Sequence, residues 1–83
     1  MPTEINERIE VYTMFGGARK IRPVKFRWRG RVVAIEEITY TWESTQGSAR
    51  FIHFAARDKA DLFELVFDKT GLAWELRATE PLG

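Results

Sequence analysis

The sequence contains no cysteine. No disulfide can staple the chain, and no thiolate can hold a metal. Histidine is almost as scarce, with His53 as the one copy. A zinc site of the usual Cys/His kind cannot be assembled from it. No run approaches the ~18 apolar residues of a membrane-spanning helix. The opening Met1-Pro2-Thr3-Glu4 does not read as a signal peptide. These absences set the expectation of a cytoplasmic protein with no cofactor, no metal and no membrane partner.

One further absence is local. Between Arg19 and Arg31 there is no acidic residue, whereas seven positions are basic: Arg19, Lys20, Arg22, Lys25, Arg27, Arg29 and Arg31. The rest of the chain holds six basic and twelve acidic residues, a net of −6. The total charge of +1 conceals this segregation. Where the cations sit says more about partners than the total does.

The 83 residues make a single small domain, 1–83. Such a chain hides only about 60% of the surface that its unfolded form exposes. Apolar residues alternate along most of it, and no segment sustains a helical period. Ile9, Val11, Thr13 and Phe15 share one phase and predict a first strand, ended by Gly16-Gly17. A second strand runs from about Ile21 to Arg29. Val24, Phe26 and Trp28 face one way; Lys25, Arg27 and Arg29 face the other. Pro23 lacks an N–H, so it belongs at the strand's start or on an edge.

Arg29-Gly30 predicts a two-residue hairpin turn. It pairs Trp28 with Arg31, Phe26 with Val33, Val24 with Ile35 and Arg22 with Glu37. The third strand, about Arg31 to Glu43, changes phase between Ile35 and Ile38. A β-bulge at Glu36-Glu37 would bend it and leave Val33 and Tyr40 both inward. Residues Ser44 to Ser48 predict a polar loop. The fourth strand, Ala49 to Ala56, is apolar in both phases and should be covered on both faces. Phe51 or Phe54 is expected at a subunit interface or against a neighbouring sheet. The fifth strand presents Phe63, Leu65 and Phe67, and the sixth Leu72, Trp74 and Leu76. A loop at Asp68 to Gly71 would pair Phe67 with Leu72, Leu65 with Trp74 and Glu64 with Glu75. The tail from Glu80 is expected to fray. The fold class is therefore all-β: a bent, antiparallel, six-stranded meander, as an open barrel or two packed sheets.

Alternate residues on a strand lie ~6.6–6.8 Å apart. Lys25, Arg27 and Arg29 thus form a row spaced about like successive phosphates, flanked by Arg31, Arg19 and Lys20. Phosphate neutralisation supplies most nucleic-acid affinity. A single-strand binder also uses exposed aromatic rings, and Tyr12 and His53 are the candidates beside the row. The competing reading is an ordinary solvated face that guards a strand from other chains. No catalytic constellation is apparent, since Ser44 and Ser48 have no obvious base. No enzyme is expected.

The segment Arg22-Pro23-Val24-Lys25-Phe26-Arg27-Trp28-Arg29-Gly30-Arg31 resembles the core of a small bacterial domain family of unknown function. That core reads Arg-Pro-x-x-Phe-x-Trp-Arg-Gly-Arg. The later Phe63-Glu64-Leu65 and Trp74-Glu75-Leu76 are similar to a late segment of the family. Some relatives look to be appended to proteins resembling Y-family DNA polymerases. Val33 stands where an aromatic residue is expected. The resemblance implies a DNA-repair protein partner and carries over no catalytic residue. The expected function is a non-enzymatic β module that binds the nucleic-acid backbone. The alternative is a homodimeric protein-interaction module without nucleic acid.

Overall fold

A computed structural model describes residues 2–17 and 21–83. Among the described residues there is no helix, and none is long and apolar enough to cross a membrane. Seven strands form one sheet: β1 (Thr3–Phe15), β2 (Ile21–Trp28), β3 (Arg31–Ala34), β4 (Glu37–Gln46), β5 (Ala49–Arg57), β6 (Asp61–Asp68) and β7 (Ala73–Pro81). Their order is β3-β2-β1-β7-β6-β5-β4, with every pair antiparallel. The all-β expectation holds. One curled sheet replaces the alternative of two packed sheets.

The expected third strand is two strands, which raises the count from six to seven. The break falls at Ile35 and Glu36, within the stretch where the apolar phase changes. The Ile35 N–H donates to the Val24 carbonyl on β2 at 3.0 Å, and the Glu36 N–H to the Arg57 carbonyl on β5 at 2.8 Å. Two adjacent residues thus reach β2 and β5, each the second strand from an end of the sheet. A second irregularity follows at Ile38/Tyr40 and turns the Tyr40 ring outward, 65% exposed. Val33 is inward as expected, but Tyr40 is not.

The interior shows how far the sheet curls. Phe26 of β2 meets Phe63 of β6 edge to face, ring centres 5.1 Å apart, although two strands separate them in the sheet. Phe54, Leu65 and Leu76 complete the fully buried centre. Phe54 packs on Trp74 of β7, so this chain buries it without a second copy.

Hairpin β2–β3 follows the expected register, with Trp28 opposite Arg31 and Phe26 opposite Val33. Arg29 and Gly30 both have positive φ, as a type I′ turn requires. Pairing stops at Lys25–Ala34, and Glu37 bonds Arg57 at 2.9 Å rather than Arg22. Pro23 lies near the start of β2, beside a register slip where Val24 is the extra residue.

Three other expectations need correction. Ser44, Thr45 and Gln46 are strand residues, and only Gly47-Ser48 form the turn. The β6–β7 register is displaced: Phe67 faces Trp74, Leu65 faces Leu76 and Glu64 faces Ala78. Asp68 causes this, since its Oδ1 accepts the N–H groups of Thr70 and Gly71 at 2.9 and 3.0 Å. The loop then closes through Leu72, which takes φ 55° and is exposed. The tail does not fray at Glu80, because Leu62 pairs with Glu80 and Asp61 with Pro81.

Candidate nucleic-acid interface

Strand β2 lies between β1 and β3, so its outward side chains sit inside a three-strand surface. Lys25 and Arg27 are exposed on it, while Phe26 is fully buried beneath; Arg29 lies in the turn after β2 and reaches instead to Trp28 and Glu7 on the opposite face. Alternation alone produces this division. Across β1, Lys25 faces Tyr12 and Arg27 faces Glu10. Across β3, Arg27 faces the exposed Val32. Beyond the Val24 bulge, Arg22 returns to the same surface, opposite Met14.

The cations are not equivalent. The Lys25 Nζ lies 4.7 Å from the centre of the Tyr12 ring, and Tyr12 is 47% exposed. An ammonium over a ring face is attracted by the ring quadrupole and stays open to water at an exposed site. Arg27 approaches Glu10 at 3.7 Å, with both side chains mostly solvated. Such a pair holds its partners weakly.

Arg29 is differently placed. Its guanidinium donates to Glu7 Oε2 at 2.8 Å and stacks 4.7 Å over the Trp28 ring. The Trp28 indole N–H donates to the other carboxylate oxygen of Glu7 at 3.0 Å. Both oxygens of Glu7 are thus engaged. The hydrogen bond from Arg29, then that from Trp28, holds the Glu7 carboxyl below the usual carboxylate range. Arg29 is an anchor within the fold more than a free cation.

Arg31 is exposed at the start of β3, but it pairs with Trp28 and so lies on the opposite face from Lys25 and Arg27, not in their row. Arg19 and Lys20, the remaining residues of the basic row, lie outside the described residues. Arg22 donates to the Met14 sulfur at 3.3 Å and lines a recess of about 440 Å³ with Ile35, Glu36 and Glu37. The two candidate rings part company. Tyr12 is beside the row, whereas His53 is buried on β5, stacked on Trp42. Nothing in the β2 alternation indicates that Glu7 would claim Arg29, because the partner lies 22 residues away.

Among the described residues no group of three or more His, Asp or Glu side chains is placed to hold a metal. Compared with known protein families, curated proteins and solved structures, the chain matches none.

Proposed function

We propose that the outer surface of β1, β2 and β3 binds single-stranded nucleic acid without catalysis, as an accessory module in nucleic-acid metabolism. Lys25 and Arg27 neutralise successive phosphates, and Tyr12 offers its ring to a base. Arg22 extends the track at one end. Arg29 positions Trp28 and the hairpin rather than carrying a phosphate.

One observation carries this reading: an exposed tyrosine in register with an exposed lysine, inside a strand row of cations. Phosphate neutralisation and base stacking are the two ingredients of sequence-tolerant single-strand binding. Here they occupy neighbouring positions. Met14 and Val32, both about half exposed, give the surface further apolar area. The test is anisotropy of a labelled oligothymidylate titrated with the protein over a range of salt. Backbone binding weakens steeply as salt rises.

The homodimer reading draws support from a separate feature. Strand β4 ends the sheet, and Tyr40 stands exposed on it, stacked on Trp42 at 5.5 Å. A second copy pairing along that edge would add main-chain hydrogen bonds. Its stability would respond little to salt. Sedimentation velocity at low and high salt separates the two readings.

A further inference from the structure

Three side chains from neighbouring strands converge on the outer face of the β4–β5–β6 sheet. Ser44 Oγ lies 2.7 Å from His53 Nε2, and His53 Nδ1 lies 3.2 Å from Glu64 Oε2. His53 is 7% exposed, and its ring is stacked on Trp42 at 4.8 Å with the planes 12° apart. A carboxylate only accepts, so Nδ1 carries the proton shared with Glu64. In a neutral ring Nε2 is then the acceptor, and the Ser44 hydroxyl donates to it. This is the relation of nucleophile, base and orienting group that activates a serine hydroxyl.

We propose that Ser44 is an activated nucleophile that accepts the acyl group of short-chain carboxylic esters. Its Oγ attacks the ester carbonyl carbon while its proton passes to His53 Nε2. The bond from that carbon to the leaving oxygen breaks, and the proton departs on the alcohol. Water repeats the sequence on the acyl-serine, which releases the acid and restores Ser44. Glu64 is a positioning residue that fixes the His53 ring.

The edge position of β4 supplies what a sheet interior would not. Gln46 and Ala49 flank a two-residue turn and form a hydrogen-bonded pair; Ser44 and Phe51 form the next such pair. The N–H groups of Glu43 and Thr45, on either side of Ser44, therefore point to the open edge of β4. They lie ~6.6–6.8 Å apart, so one of them, not both, can receive the negative oxygen that develops during attack. Trp42, two residues before Ser44, and Phe51, opposite it, wall the approach and favour a short acyl chain.

The test uses a fluorophosphonate probe, from which attack by Oγ displaces fluoride, followed by peptide mapping. Ser48, exposed in the adjacent turn, is the internal reference. Ser44 is expected to be labelled about 10²-fold faster than Ser48, the size of general-base assistance. Ser44→Ala should remove the adduct, and His53→Gln should slow it by about the same 10²-fold factor. Because His53 is buried, Glu64→Gln serves as a second variant, assayed with p-nitrophenyl acetate. A lowered kcat with unchanged KM, in a variant whose circular dichroism and thermal melt match the parent's, supports its positioning role. Equal labelling of Ser44 and Ser48, no adduct at Ser44, or an unaltered kcat in Glu64→Gln overturns the proposal. None of these outcomes depends on nucleic-acid binding.

Discussion

Lys25 and Tyr12 stand in register on β2 and β1, with the Lys25 Nζ 4.7 Å from the centre of the Tyr12 ring. One surface site thus offers both an exposed cation and a flat apolar face. The two should contribute through different physics. Replacing Tyr12 by Ala is expected to weaken oligonucleotide binding by ~1–3 kcal/mol, the worth of one stacked base. The salt slope should stay unchanged, because no phosphate contact is lost. Anisotropy titrations at three or more salt concentrations check both statements. A parallel fall in affinity and slope would tie Tyr12 to charge rather than stacking.

Arg27 and Arg29 are close in sequence with different employment. Arg27 meets Glu10 loosely at 3.7 Å, whereas Arg29 is held by Glu7 at 2.8 Å. Arg27→Gln should therefore reduce binding more than Arg29→Gln does. Arg29→Gln should instead perturb Trp28, whose ring lies beneath the guanidinium. Intrinsic fluorescence of the two variants, measured beside their affinities, distinguishes these roles.

The Glu7 carboxyl titrates below its usual range because Arg29 and Trp28 donate to it in the folded state. The unfolded chain therefore binds this proton at higher pH than the folded chain. Stability from Glu7 is fully present above the ordinary glutamate range and is lost as pH falls through the lower folded value. Glu7→Gln is expected to flatten the acid side of the stability curve between those limits. Urea melts across that window would show it. An acid limb identical to the parent's would deny Glu7 this role.

The core prediction concerns Phe26, which is fully buried and meets Phe63 across the curled sheet. Truncating a buried phenylalanine to alanine costs ~3–5 kcal/mol. In a domain this small that is a large part of the total stability. Thermal melts of Phe26→Ala should show a transition tens of degrees lower or none. A shift of only a few degrees would mean that the sheet is not wrapped around this ring.

How much was legible depended on how local the determining signal was. The half of β2 from Lys25 to Trp28 and its turn could be read, because alternation and Arg29-Gly30 lie within a few residues, but the bulge at Val24 could not. The register from Lys25 to Arg31 followed, and with it the outward placement of Lys25 and Arg27, whereas Arg29 reaches the opposite face. Hairpin β6–β7 was read in the right face but the wrong register. A displacement that keeps parity leaves Phe67, Leu65, Trp74 and Leu76 inward, so apolar pattern alone does not report it. The Asp68 side chain and a positive φ at Leu72 decided that loop. Ser44 to Gln46 were hidden for another reason: an edge strand needs few apolar residues, so polarity there mimics a loop. With Ser44 placed in a loop, its contact with His53 stayed invisible, as did the link from His53 to Glu64 on a third strand. The cations were legible as a row, but their division into free and anchored was not. That division depends on Glu7, brought close by strand β1.

If Lys25 and Arg27 contact phosphates, the double variant Lys25→Gln with Arg27→Gln must bind differently from the parent. Both side chains are exposed, so the fold should be unaffected, as circular dichroism would verify. The measurement is the slope of log affinity against log salt for an oligothymidylate, parent against variant. The parent is expected to bind at low salt, and the variant's slope to be flatter by about 1.4, at ~0.7 per contact. A parent that does not bind at low salt, or a variant with the parent's slope, would contradict these contacts.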